Sequence, residues 1–197
     1  MLDTDPQKPK KIRKPKEPTE KWLRDQALRY LNRFPATTMK MHQHLQKKAA
    51  PNLEFFDVTE SNLIGNIDRV IENLVRAGFM NDDEFAASKA RVMAKQGKST
   101  AQIGAKLQEL GFTETQMDAA IAALGEDPYK RDLRAAARYV KRRKFGPYKP
   151  TEIRSDRRDK ELASLARQGF SYDIATKALD AETTEDIDAL ISDFSAS

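Results

Sequence analysis

The motif Leu-x-x-x-Gly-Phe occurs three times in this 197-residue chain, and it constrains the fold more than any other feature of the sequence. The copies lie at residues 74–79, 107–112 and 165–170. A leucine in the last turn, a glycine in the left-handed conformation and an apolar residue directly after it are the elements of a common helix C-terminus. The motif therefore predicts short helices that end at recurring points along the chain.

Apolar residues recur at every third or fourth position from Glu20 onward, and no segment alternates apolar and polar residues as a β-strand does. The pattern predicts an all-α fold of about nine helices. Start and stop signals group them into tandem three-helix repeats at 21–80, 81–125 and 126–181, between a basic, proline-rich arm at 1–20 and an acidic tail at 182–197. We expect the arm to be disordered and the repeats to form an elongated, curved array, with a compact nine-helix globule as the alternative.

Local signals also predict individual helix ends. Two helix starts carry the residue pairs of a capping box, in which each side chain bonds the partner's backbone N–H. These pairs are Ser99 with Gln102 and Thr113 with Gln116. Pro51 is expected to close the second helix at about Lys48, and Trp22 is predicted to lie in the core.

The positive charge is concentrated in one part of the sequence. The formal net charge is +5, but residues 128–167 hold fourteen bases and five acids, whereas residues 178–197 hold six acids and no base. A concentrated positive field is typical of proteins that contact phosphate backbones, although a solvated helix surface is the alternative.

The predicted helix from 127 to 144 separates its charges from its apolar residues. Its core-facing stripe holds Tyr129, Leu133, Ala136, Ala137 and Val140. The opposite face forms a cationic ridge of Arg131, Arg134, Arg138, Lys141 and Arg142 without an acid among them. Because like charges one turn apart repel, the ridge favours contact with a polyanion or with an acidic partner.

Further bases follow the ridge, and they complete the candidate DNA- or filament-binding set. These bases are Arg143, Lys144, Arg154, Arg157, Arg158 and Lys160. Three of them, at 154, 157 and 158, lie near the start of the predicted eighth helix, where cations oppose the helix dipole, so contact with a phosphate or with an acidic side chain is the economical explanation. Phe145 and Tyr148 lie among these bases and could stack on nucleobases; the alternative is that they hold the loop to the helices beneath.

The acidic tail contains a short amphipathic pattern. Ile187, Leu190, Ile191 and Phe194 recur at helical spacing, with acids in the first turn. We expect a short acidic helix that docks on the basic repeat and competes with DNA there. A solvated tail is the alternative.

Several function classes are disfavoured. The longest apolar run spans 119–124, and with no cysteine in the chain we expect a cytoplasmic protein without membrane spans or disulfides. His42 and His44 stand about 200° apart on a helix, so they cannot share a metal, and we read both as surface residues. No nucleotide-binding loop or nucleophile motif is present, so we expect no catalytic residues, no metal and no cofactor.

Five segments together resemble the RecX regulatory proteins over about residues 21–181. They are Gly-Phe-Met-Asn-Asp-Asp-Glu-Phe-Ala at 78–86, Gly-Lys-Ser at 97–99, the motif copies at 107–112 and 165–170, and Arg-Lys-Phe-Gly-Pro at 143–147. The resemblance implies a regulator that binds the RecA filament on single-stranded DNA. Such a protein modulates, mostly by inhibition, ATP hydrolysis, strand exchange and co-protease activity in homologous recombination, DNA repair and the SOS response.

The family has no catalytic residues to carry over. We expect the chain to act as a monomer, with RecA and single-stranded DNA as partners and duplex DNA as a further one. A helical DNA-binding transcription regulator is the alternative, and it predicts sequence-specific duplex binding. The ridge carries no Asn or Gln for bidentate contacts to adenine, which disfavours that alternative.

Overall fold

The computed structural model describes residues 15–125 and 127–192. These residues form ten α-helices and one 3-10 turn and contain no β-strand, so the predicted all-α class is confirmed. The chain divides into two compact units, 1–80 and 81–197. No helix in the described ranges is long and apolar enough to cross a membrane. The expected disorder of the arm concerns residues that lie mostly outside the described ranges.

The first unit consists of three helices that pack around one apolar cluster. They are α1 (Glu20–Leu31), α2 (Thr38–Leu53) and α3 (Glu60–Arg76). Leu23, Met41, Leu45 and Ile67 are fully buried between them, and Trp22 packs against this cluster with part of its surface exposed. The predicted end of α2 at about Lys48 is wrong, because α2 continues through Pro51. The fixed φ of proline is itself helical, so a proline in the last turn removes one backbone hydrogen bond without ending the helix.

The second unit opens with α4 (Asp82–Lys95), α5 (Thr100–Leu110) and α6 (Glu114–Ala122), which share a second apolar cluster. The predicted capping box at the start of α6 is confirmed. The predicted box at the start of α5 is only half formed. Ser99 accepts the N–H of Gln102, and the Nε2 group of Gln102 donates to Gln168 Oε1 at 3.3 Å. The Gln102 side chain therefore makes a tertiary contact in place of the predicted local box.

The remaining helices share a third apolar cluster. They are α7 (Pro128–Arg143), the 3-10 turn Gly146–Tyr148, α8 (Thr151–Arg167), α9 (Tyr172–Leu179) and α10 (Thr184–Ser192). Val140, Leu165 and Ile187 are fully buried in this cluster. The second compact unit therefore holds two apolar clusters, and the three-repeat division of the chain stays a prediction.

The helix ends predicted from the Leu-x-x-x-Gly-Phe motif are confirmed. Gly78, Gly111 and Gly169 all have positive φ values of 77° to 85°. After each glycine, the phenylalanine N–H donates to the carbonyl of the motif leucine at 2.9 to 3.3 Å. Lys144 ends α7 in the same left-handed conformation with φ 55°, and the N–H of the next residue donates to Val140 at 3.0 Å. The same terminator thus forms there without a glycine.

Candidate nucleic-acid interface

The buried face of helix α7 is wider than the apolar stripe predicted from the sequence. The stripe residues Leu133, Ala136, Ala137 and Val140 are buried as predicted, whereas Tyr129 is exposed and donates its hydroxyl to Asp173 Oδ2 at 2.8 Å. The prediction of a core position for Tyr129 is therefore wrong. The buried arc also takes in residues outside the predicted stripe, because α9 and α10 both pack against α7.

The start of α7 is joined to the start of α5 by a buried polar cluster. Arg131 is only 5% exposed, and its guanidinium donates to Thr100 Oγ1 at 2.8 Å. Asp132 accepts both the backbone N–H and the hydroxyl of Thr100 at 2.8 Å. A carboxylate at a helix N-terminus is favourable because it lies at the positive end of the helix dipole. The predicted position of Arg131 on the exposed ridge is therefore wrong.

The other ridge residues differ in their exposure and in their contacts. Arg138 and Arg142 are exposed, and Arg134 is half-buried. The guanidinium of Arg142 lies 5.3 Å from the ring centroid of Tyr139. Lys141 is exposed too, but its ammonium is bonded to Asp188 of α10. The open part of the ridge thus begins at Arg138 and runs toward the C-terminal end of α7.

Aromatic rings hold the cations that follow α7. Arg143 lies 5.7 Å from the ring centroid of Phe145, with Lys149 at 5.9 Å from the same ring. Lys144 lies 4.6 Å from the ring of Tyr148. Both rings are half-buried against the third apolar cluster, and burial raises the pKa of the Tyr148 hydroxyl. The rings therefore hold the loop to the helices and orient the cations above it, which favours the second of the two predicted roles.

Two of the predicted arginines on α8 make contacts within the fold. Arg154 donates to the backbone carbonyls of Pro147, Lys149 and Glu182 at 2.9 to 3.3 Å, which closes the loop after α7. Arg158 makes two hydrogen bonds to the carboxylate of Asp180, and these bonds raise its pKa. These contacts explain why both cations lie at this helix end, and for Arg158 the partner is an acidic side chain, one of the two predicted contacts.

The other two predicted cations of α8 are open to solvent. Arg157 and Lys160 are exposed, and neither has a hydrogen bond or an ion pair with the described residues. Arg138, Arg142, Arg143 and Lys144 are exposed in the same way.

A buried carboxylate missed in the sequence fixes the loop that follows α7. Glu161 is buried, accepts the N–H of Gly146 at 2.9 Å and lies 3.5 Å from the Lys149 ammonium. Gly146 has a positive φ, and a Cβ there would lie 2.7 Å from the carbonyl oxygen of Leu179. The charge pattern gave no sign of this role, since Glu161 lies among bases in the sequence.

The predicted acidic helix is present as α10, and it docks on the basic helices as expected. Ile187 is fully buried in the third apolar cluster, with Leu190 and Ile191 partly buried beside it. Phe194, the fourth residue of the predicted pattern, lies outside the described residues. The alternative of a solvated tail is wrong for the helix, while its competition with DNA stays a prediction. The hydrogen bond from Lys141 to Asp188 raises the pKa of the lysine.

Comparison with known proteins covers nearly the whole chain. The Regulatory protein RecX of Myxococcus xanthus is 30% identical over 87% of this chain and 92% of its own length. The Regulatory protein RecX of Agrobacterium fabrum is 31% identical over 90% of this chain and 93% of its own length. No family model matches the chain.

The fold agrees with these relatives. The crystal structure of RecX from Lactobacillus salivarius superimposes with a TM-score of 0.61, at 20% identity, over 86% of this chain and 96% of that one. This likeness supports the all-α fold, and the family itself rests on the two relatives at 30% identity or more. The chain therefore belongs to the RecX family of regulatory proteins.

Proposed function

We propose that this protein binds RecA filaments assembled on single-stranded DNA and lowers their ATP hydrolysis, strand exchange and co-protease activity. In this role it acts as a cytoplasmic monomer in recombination, DNA repair and the SOS response. Membership of the RecX family supports a regulatory role. The observation that carries DNA contact is the open end of the ridge, Arg138, Arg142, Arg143 and Lys144.

The physical argument rests on uncompensated charge. These four cations are exposed, and none has an ion pair with another described residue. Cations one turn apart on a helix repel each other by a few tenths of a kcal/mol, about 0.2–0.5. A phosphate backbone removes that repulsion and releases its own condensed counterions, so binding should weaken steeply with salt.

The test is the rate of ATP hydrolysis by preformed RecA filaments as the protein is titrated in, with the DNA kept saturated by RecA. We expect the wild-type protein to lower the rate. The variant Arg138→Gln with Arg142→Gln should need about tenfold more protein for the same effect, which corresponds to about 1.4 kcal/mol.

The matched control is Arg91→Gln with Lys95→Gln. This pair has the same spacing and the same loss of charge, and it is exposed on α4. Equal loss of potency in both double variants would show that the ridge is not part of the binding site. No inhibition by the folded wild-type protein, together with sequence-specific duplex binding, would overturn the proposed function in favour of a transcription regulator.

A further inference from the structure

The first compact unit carries a cluster of three aromatic rings at the edge of its apolar core, against which Tyr30 packs. Tyr30 on α1 lies 5.7 Å from Phe34 and 4.3 Å from His44 on α2, measured between ring centroids. We call Tyr30, Phe34 and His44 the ring cluster. Tyr30 and His44 are half-buried, whereas Phe34 is 56% exposed.

The backbone holds Phe34 in this exposed position. Its N–H donates to the carbonyl of Tyr30 at 2.9 Å, just after the end of α1. Pro35 follows and restricts the conformation of the residue before it. The ring therefore projects from an ordered helix end, with its outer surface available to another flat group.

The sequence segment that holds the ring cluster carries charge of one sign. Residues 26–53 contain five bases and no acid. The bases are Arg29, Arg33, Lys40, Lys47 and Lys48. Lys40, His44 and Lys48 are spaced four residues apart on α2, so the two lysines flank His44 on one face of the helix. Arg33 directly precedes Phe34.

His44 contributes a neutral ring to this surface at neutral pH. Burial lowers its pKa, and the nearby charge of Lys48 lowers it further. The acidic contact of α2 lies on another face of the helix, where His42 Nε2 is 3.2 Å from Asp68 Oδ1. Both histidines keep part of their surface exposed, and each contacts a neighbour in the first unit.

We propose that the ring cluster, with Arg33, Lys40 and Lys48, is a second contact surface for single-stranded nucleic acid. Unpaired nucleobases stack on Phe34 and Tyr30, and the basic side chains of Arg33, Lys40 and Lys48 neutralise the phosphates. Exposed rings among cations are the elements of sequence-tolerant binding to single strands, whereas the paired bases of a duplex cannot reach such rings. The proposal deepens the proposed function and rests on its choice of single-stranded DNA as partner.

The test is the affinity of the full chain for a labelled oligothymidine of about 20 nucleotides, without recombinase, at several salt concentrations. Phe34→Leu should raise the Kd about fivefold with an unchanged salt slope, because it removes a ring and no charge. Lys40→Gln with Lys48→Gln should weaken binding and flatten the slope. A duplex of equal length should bind Phe34→Leu as it binds the wild-type protein.

The matched control is Phe55→Leu. Phe55 is 64% exposed in the same unit, but it is flanked by Glu54 and Asp57 instead of bases, so its replacement should leave the affinity unchanged. Photo-crosslinking of an oligomer that contains bromodeoxyuridine gives a direct measurement. We expect crosslinked peptides that contain Tyr30 or Phe34.

The outcomes separate this surface from the proposed function. If both variants of this surface bind like the wild type while the Arg138 and Arg142 variant binds weakly, the second surface does not exist and the proposed function stands. Crosslinks confined to α7 and the loop after it would have the same meaning. If the protein leaves RecA filaments unaffected while Phe34→Leu still weakens binding, the surface stands and the proposed function fails.

Discussion

Lys141 on α7 and Asp188 on α10 form an ion pair in which Nζ lies 2.5 Å from Oδ1. Both side chains are about half exposed, so the pair lies at the surface. Its position is nevertheless fixed, because Ile187, the residue before Asp188, is fully buried in the third apolar cluster. A carboxylate of the acidic tail therefore pairs with one cation of the predicted ridge, at a position where we propose that a phosphate binds.

This pair predicts that removing the carboxylate increases DNA affinity. Asp188→Asn frees Lys141 for one more phosphate contact, so the salt slope on single-stranded DNA should steepen by about 0.7 and the affinity should rise about threefold. Binding to a labelled oligomer at several salt concentrations measures both. Glu114→Gln, which makes the same charge change in the first turn of α6, is the control. An equal gain in both variants would mean that net charge, and not this contact, sets the affinity.

The start of α10 predicts a dependence of stability on pH. The backbone N–H of Thr183 donates to Asp186 Oδ2 at 2.9 Å, and this hydrogen bond is the main cause of the lowered pKa of Asp186. A carboxyl whose folded pKa is depressed adds stability above its ordinary pKa of 3.8 and loses that stability as the pH falls through the folded value. The melting temperatures of the wild type and of Asp186→Asn should therefore differ at pH 6, and the difference should shrink as the pH falls below 3.8. A constant difference across this range would contradict the prediction.

The close contact between α5 and the end of α8 predicts a large effect of one methyl group. Gly169 has φ +77°, and a Cβ there would lie 2.7 Å from the Ser99 hydroxyl, which donates to the Gln168 carbonyl at 2.6 Å. Gly169→Ala should lower the free energy of unfolding by about 3 kcal/mol, from backbone strain and overpacking together. Gly78→Ala has the same φ and nothing within 4 Å, so it should cost only about 1 kcal/mol. Chemical denaturation of both variants tests the difference.

The buried acceptor on α7 predicts a second difference in stability. Asp132→Ala removes both hydrogen bonds to Thr100 and the anion at the start of α5, so it should cost about 3 kcal/mol. Asp127→Ala removes an exposed cap that accepts the N–H groups of Tyr129 and Lys130, and it should cost about 1 kcal/mol. Denaturant unfolding monitored by circular dichroism compares the two variants. Equal costs would show that burial of the Asp132 carboxylate does not matter.

Part of the candidate site could be predicted from the sequence because it depends on one helix at a time. The apolar residues of α7 separate from Arg138 and Arg142 by helical geometry alone, and the acidic amphipathic pattern of α10 was readable in the same way. The positions of Arg131 and Arg154 were not readable. Arg131 faces the start of α5, and Arg154 bonds the carbonyl of Glu182, 28 residues further along the chain, as well as two nearer ones.

The ring cluster of the first unit was also only partly predictable from the sequence. Its charge signal, 28 residues without an acid between 26 and 53, is present in the sequence. An average over a longer segment, 21–127, hides it because the acids there equal the bases in number. The pairing of Tyr30 with His44, however, exists only because α1 packs against α2.

The sequence by itself determined the helices, most of their ends and the separation of basic from acidic segments. Glycine conformation, hydroxyl caps and apolar periodicity act within a few residues, and the Leu-x-x-x-Gly-Phe ends show that these local preferences persist in the fold. The tertiary structure alone decided which cations stay open to a partner. A guanidinium or ammonium can contact solvent, a carbonyl or a carboxylate, and residues distant in sequence decide which. Lys141 and Asp188 are such a pair, and no local sequence pattern predicts their contact.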